Sequence, residues 1–167
     1  MTQYAASLIR EIPDFPSPGI LFKDITPLLK DGRGLREVVD AIANLAKDAD
    51  VIAGIESRGF VLGAAVATVL GKGFVPIRKK GKLPHKTYQE SYGLEYGTDV
   101  LEIHIDAINQ GERVFLIDDV LATGGTLVAA AKLINKCGGS VIGSAVLLEI
   151  DGLPGRTNVS KAFPDQP

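Results

Sequence analysis

Residues 114–126 read VFLIDDVLATGGT, and the two halves of this stretch suit opposite partners. Val114 to Ile117 form a continuous apolar run, the pattern of a strand buried on both faces. Two adjacent carboxylates follow, Asp118 and Asp119, and then Ala122-Thr123-Gly124-Gly125-Thr126 leads into an apolar helical pattern. Carboxylates repel phosphate. A loop of small residues at a helix start attracts it, because backbone N–H groups converge there and the helix adds its positive end. Thr123 and Thr126 can add hydroxyl donors. No Gly-Lys-[Ser/Thr] follows, so this is not the nucleoside triphosphate loop, and the absence of GxGxxG disfavours a dinucleotide. The signal is for a monophosphate. The carboxylates suit a vicinal diol, or a Mg²⁺ ion with its waters. A ribose 5-phosphate presents both halves at once: Ala122 to Thr126 take the phosphate, and Asp118 and Asp119 take the ribose hydroxyls. The plain alternative is an exposed Asp-Asp turn before an ordinary helix. The whole string favours the ligand.

Working outward, strand-like runs alternate with helical patterns. DVIAGI (50–55), GFVPIRK (73–79), RVFLIDD (113–119) and SVIGSAVLLEI (140–150) read as strands. FVLGAAVATVLG (60–71), residues 34–47 and TLVAAAKLINKC (126–137) read as helices, the last stopped by Gly138-Gly139. The expected fold class is α/β, a central parallel sheet flanked by helices. Ligands of such sheets sit beyond the carboxyl ends of the strands. The polar clusters at 56–59 and 118–126 both fall there. Two segments break the alternation. The proline-broken start, about residues 1–32, precedes the first long helix. Residues 79–99 are polar, with Gly81, Gly93 and Gly97 as hinges, and read as a mobile lid that forms a hairpin arm when closed.

The composition sets bounds. One domain is expected from 167 residues, with 46% hydrophobic residues and a net charge of −2. The acidic balance argues against a nucleic-acid partner. The single Cys137 needs no oxidising compartment. The start MTQYAASLIREIPDF lacks a signal-peptide pattern, and the longest uncharged apolar stretch, residues 59–71, is too short for a bilayer. A soluble, cytoplasmic protein without a membrane partner is expected. His85, His104 and Cys137 have no partners in sequence that suggest a metal or nucleophile.

VFLIDDVLATGGT resembles the phosphoribosyl-diphosphate motif of the type I phosphoribosyltransferases. FPSPGILFKDITPLLKD (15–31), IESRGF (55–60), IRKKGKLP (77–84) and YGLEYGTDVLEIH (92–104) are similar to the adenine-using branch of that family, in its order and spacing. The resemblance covers about residues 8–150. It implies a type I phosphoribosyltransferase-like fold with an N-terminal hood and a lid. It also implies transfer of a phosphoribosyl group from 5-phosphoribosyl 1-diphosphate to adenine, giving AMP and diphosphate in purine salvage, with Mg²⁺ held mainly by the substrate. Asp118 and Asp119 are its candidate protein contacts, through water. A homodimer is the family expectation.

The resemblance also implies residue roles. Arg58, with Arg78, Lys79 and Lys82, binds diphosphate. Phe22 stacks on the base, while the backbone around Leu21 and Lys23 reads its edge. Glu95 is the candidate acid/base near the purine N7, with Tyr96 beside it. Each role has a plainer reading: Arg58 as a surface ion pair with Glu56, the basic run as a solvated face, Phe22 as a core aromatic, Glu95 as a solvent-facing lid residue. Family members continue after Gly-Arg into another aromatic-rich strand. Here TNVSKAFPDQP follows Gly155-Arg156, so the final strand is expected to be altered or lost. Three alternatives stand beside the salvage enzyme: a transferase for another base such as xanthine, a non-catalytic phosphoribosyl-diphosphate sensor, and a receiver domain. The last is disfavoured because the acidic pair comes late in the chain.

Overall fold

β3 (Val51–Ile55) is buried at every residue, and it sits in the middle of a six-stranded sheet. The computed structural model describes residues 2–93 and 98–163, with only the backbone of Thr98. These fall into two compact units, 1–44 and 45–167. The hood expected from sequence ended near residue 32; the N-terminal unit continues through most of the first long helix.

In the N-terminal unit, α1 (Gln3–Ser7) precedes the antiparallel pair β1 (Arg10–Pro13) and β2 (Leu21–Asp24), followed by α2 (Thr26–Lys30) and α3 (Gly32–Ala46). Asp24 ties β1 to the start of α2. Its carboxylate pairs with Arg10 at 2.6 Å across the register partners Arg10↔Asp24, and accepts from Thr26 N and Thr26 Oγ1, each at 2.9 Å. Those donors, the Thr26 N–H first, hold the Asp24 carboxyl down to about 2.

In the C-terminal unit the sheet order is β5-β6-β4-β3-β7-β8, with β4 (Gly73–Lys79), β5 (Thr87–Gly93), β6 (Thr98–His104), β7 (Arg113–Leu121) and β8 (Ser140–Glu149). β4, β3, β7 and β8 run parallel, as the apolar runs imply, and β6 and β5 add an antiparallel edge. α4 (Arg58–Leu70) connects β3 to β4, and α5 (Gly125–Cys137) connects β7 to β8. The two crossovers step away from the β3–β7 pair in opposite directions. Right-handed connections then put α4 and α5 on opposite faces. The core bears this out on one face: Val51, Ala53 and Ile55 of β3 and Val114 and Leu116 of β7 cluster with Leu127, Leu133 and Ile134 of α5. Between β3 and β7 the strand order reverses, and such a reversal opens a crevice beyond the strand ends.

Gly59, in the first turn of α4, lets the helix start press on that edge. A Cβ there would lie 2.8 Å from the Ile117 carbonyl oxygen and 3.2 Å from Asp118 Cα. After β8 the described chain forms α6 (Gly155–Ala162). The final strand of the family, expected from sequence to be altered or lost, is absent among these described residues, which are helical, with Val159 and Phe163 packed against the core. Among the described residues no helix is long and apolar enough to cross a membrane.

Candidate active site

Both sequence-marked clusters lie at the reversal. Residues 56–59 follow β3 and open α4; Asp118 and Asp119 lie on β7, whose end passes through Ala122, Thr123 and Gly124 into α5. Asp118 and Asp119 are almost fully buried, at 7% and 6% exposure, so they are not an exposed turn. Asp118 Oδ1 accepts the Asp119 N–H at 2.8 Å, and Asp119 Oδ2 forms an ion pair with Arg58 Nε. Although close to that cation, the same Oδ2 makes no well-aligned hydrogen bond among the described residues. Burial first, and then the Asp119 charge, push the Asp118 carboxyl well above its ordinary 3.8; the Asp119 N–H and the Arg58 charge oppose this without prevailing. The pair is therefore unequal. Burial and its neighbour's charge dominate at Asp118, while Asp119 faces the Arg58 guanidinium.

The ion pair weighed for Arg58 from sequence was with Glu56. Glu56 instead holds Arg78, at 3.1 Å, and accepts the Lys79 N–H at 3.1 Å. The parallel register Ile55↔Ile77 brings these residues side by side. Burial raises the Glu56 carboxyl, but Arg78 and the Lys79 N–H outweigh it and hold it below its ordinary value. Arg78 also donates to the Lys82 carbonyl at 3.1 Å. Lys79 Nζ pairs with Asp99 at 3.0 Å. Arg58, Arg78 and Lys79, three of the cations assigned to diphosphate, thus each have an acid partner at this edge of the sheet. Lys82 contributes its backbone N–H to Glu102 at 2.9 Å.

Ala122, Thr123, Gly124, Gly125 and Thr126 form the expected loop and helix start. Gly124 adopts φ +84°, and no side chain caps the α5 terminus. That leaves the first-turn amides for another acceptor. Thr123, Gly124 and Thr126 line a cavity of about 140 Å³ together with Val120, Leu121, Ala122, Leu127 and Leu153.

Three residues of this neighbourhood, Tyr92, Asp99 and Glu102, have no role in the sequence reading. Tyr92, at the end of β5, donates to Asp99 at 3.2 Å. Burial, with the Asp99 charge, pushes its hydroxyl up to about 12, and Thr126 and Asp118 are close enough to act on it. Gly93 lies against the start of α5, its carbonyl oxygen 3.0 Å from a Cβ built on Gly125. Glu102, buried at 2% exposure, accepts from Lys82 N at 2.9 Å and Leu83 N at 3.0 Å and so shapes the turn before β5. Asp99 and Glu56 are the counter-ions described above. The one available signal was for Glu102, a carboxylate inside the alternating strand VLEIHID.

The expected hairpin arm is present as β5 and β6, paired antiparallel from Thr87↔His104 to Gly93↔Thr98. Glu90 pins it to α5 through Lys132 at 3.2 Å and Lys136 at 2.7 Å. Glu95 and Tyr96 lie outside the described residues. Leu21, Phe22 and Lys23 belong to β2 in the N-terminal unit. There the Phe22 ring meets Phe15 edge-on at 5.1 Å, and Lys23 pairs with Glu11. His85 and His104 stack edgewise at 6.0 Å. Among the described residues no three His, Cys, Asp or Glu side chains converge as a metal cage.

A mostly parallel sheet with a buried carboxylate pair and a small-residue loop at its order reversal fits the class of α/β proteins that bind a sugar phosphate. Residues 25–163 match the family described as phosphoribosyl transferase domain, and the chain belongs to that family. Its relatives narrow the class. An adenine phosphoribosyltransferase of Parvibaculum lavamentivorans is 58% identical over 153 residues, covering 90% of this chain and 87% of its own. The crystal structure of adenine phosphoribosyltransferase from Thermoanaerobacter pseudethanolicus superposes with a TM-score of 0.90 at 50% identity, covering 94% of this chain and 92% of that one. The Saccharomyces cerevisiae enzyme, complexed with an imino-altritol bisphosphate and adenine, gives 0.88 at 37% identity, covering 94% of each chain.

The raised Asp118 carboxyl predicts a pH-dependent stability. Below the unfolded value near 3.8 the group is protonated in both states and costs nothing. Above it, the folded state holds a proton that the unfolded state releases, so stability falls as pH rises toward the folded value. Asp118→Asn removes this term. Its thermal midpoint, relative to the unaltered protein, should rise from pH 4 to pH 8 in ligand-free buffer. A difference independent of pH would contradict the raised carboxyl.

Proposed function

We propose that this chain transfers the 5-phosphoribosyl group of 5-phosphoribosyl 1-diphosphate to adenine, releasing AMP and diphosphate in purine salvage. The observation that carries this is the meeting, at one reversal of strand order, of two buried carboxylates with a small-residue loop that opens a helix. A ribose with its 5′-phosphate uses both. Adenine as acceptor is supported by the name shared by the relatives and by the adenine bound to the yeast enzyme.

In this reaction a base nitrogen attacks C1′ as the C1′–O bond to diphosphate breaks, and positive charge builds on the ribosyl ring. We assign the 5′-phosphate to the amides and hydroxyls of residues 122–126. The ribose hydroxyls go to Asp118 and Asp119. Their negative charge also favours the developing ribosyl cation. Diphosphate goes to Arg58, whose fork suits paired oxygens, and to Arg78, Lys79 and Lys82. The Arg58, Arg78 and Lys79 side chains would exchange their acid partners for the substrate. Base recognition is assigned to Phe22 and the backbone of Leu21 and Lys23. The acid/base role goes to Glu95, with Tyr96 beside it, by family resemblance.

Mg²⁺ commonly takes one or two protein carboxylates and fills its remaining positions with phosphate oxygens and water. The Asp118–Asp119 pair suits that habit better than a closed protein cage would. Asp118 and Asp119 would hold it through water, and the ion would offset diphosphate charge. A cytoplasmic homodimer, with neither nucleic acid nor membrane as partner, completes the proposal.

Adenine should outcompete hypoxanthine, guanine and xanthine by at least about tenfold in kcat/KM when all four are offered with 5-phosphoribosyl 1-diphosphate. Preference for another base would move the assignment within the family, and no turnover with any base would favour a sensor. Glu95→Gln should lower kcat by on the order of 10²-fold with a smaller change in KM. An effect on KM alone would remove its acid/base role.

A further inference from the structure

α6 lies against the loop assigned to the 5′-phosphate and meets it on its carbonyl side. Asn158 Nδ2 donates to the Thr123 carbonyl at 2.9 Å. The Ala122 carbonyl oxygen approaches Gly155 so closely that a Cβ there would lie 2.3 Å from it. The Gly155 carbonyl oxygen in turn lies 2.7 Å from the position of a Cβ on Gly124. The two glycines interlock backbone against backbone. α6 is itself anchored: Arg156 pairs with Glu149 at 2.5 Å, Val159 packs on the core, and Ile150 N donates to Leu121 O at 2.9 Å at the loop's start.

These contacts fix directions as well as positions. Neither peptide involved is cis, and in a trans peptide the C=O and N–H point in opposite senses. With the Thr123 carbonyl turned to Asn158, the Gly124 N–H points away from α6. With the Ala122 carbonyl turned to Gly155, the Thr123 N–H does the same. Two successive amides thus face the opposite side of the loop, where an anion needs them. A peptide preceding glycine is prone to flip, because glycine accepts either sign of φ. A flip at Thr123–Gly124 would aim a carbonyl at the phosphate instead of an N–H.

We propose that α6 is a clamp that sets the direction of the phosphate-binding amides, with Asn158 as its positioning residue and Gly155 supplying the close approach. This rests on the assignment of the 5′-phosphate to residues 122–126. It gives the C-terminal helix a part in substrate recognition without any contact to substrate.

The test is ribose 5-phosphate titrated calorimetrically into the unaltered protein, Asn158→Ala and Asn158→Asp, alongside steady-state kinetics. Asn158→Ala should weaken ribose 5-phosphate binding about 5-fold, the usual scale for one hydrogen bond. Asn158→Asp, whose carboxylate cannot donate and faces a carbonyl, should weaken it more. KM for 5-phosphoribosyl 1-diphosphate should rise in parallel, while KM for adenine and kcat stay within about twofold. Gly155→Ala should lose more, but only the Asn158 variants carry the decision, because the alanine can prevent folding. The clamp is overturned if Asn158→Ala binds ribose 5-phosphate as the unaltered protein does. It is equally overturned if both substrates weaken together with a fall in thermal midpoint, as a merely structural contact would give. Should the unaltered protein bind ribose 5-phosphate but convert no base, the reaction assignment fails and the binding ratio still decides the clamp. Should it not bind ribose 5-phosphate, phosphate site and clamp fall together.

Discussion

β3 and β7 lie side by side, and the chain leaves them in opposite directions, to β4 on one side and β8 on the other. With both crossovers right-handed, no helix can cover the carboxyl ends of this pair. Everything functional depends on that constraint. It sets the turn 56–59 beside the loop 122–126, and it requires Gly59, because α4 begins in contact with Ile117 and Asp118. It also buries two carboxylates that a surface turn would leave in water.

The electrostatics follow from the same geometry. Arg58 with Asp119, Arg78 with Glu56 and Lys79 with Asp99 are three cation–acid pairs gathered at this end of the sheet. Each joins a partly exposed cation to a more buried acid, so solvent screens the attraction only in part. In the proposed function they hold cations in place for an anionic ligand, at modest cost when partners are exchanged. Asp118 differs. Burial raises its carboxyl above the ordinary aspartate value.

Much of this was legible in the sequence. Continuous apolar runs marked the central strands, and VFLIDDVLATGGT marked a strand, an acidic end and a small-residue loop opening a helix, in order. What stayed hidden depended on register. Glu56 meets Arg78 only because Ile55 pairs with Ile77, and Tyr92 meets Asp99 only because they are direct partners across the hairpin. Neither spacing has a signature in a single strand. α6 was hidden for another reason: Thr157, Asn158, Val159 and Ser160 are weak helix formers, and packing of Val159 and Phe163 outweighs that propensity. The loss of the family's final strand was expected from the departing sequence, but not the helix that replaces it and meets the loop.

The central claim is the division of labour between the carboxylate pair and the loop, and a crystal structure with AMP tests it most directly. The account predicts the 5′-phosphate within hydrogen-bond distance of the Thr123 and Gly124 amides and the ribose hydroxyls on Asp118 and Asp119. A phosphate bound instead at the turn 56–59, with the ribose away from the acidic pair, would contradict it.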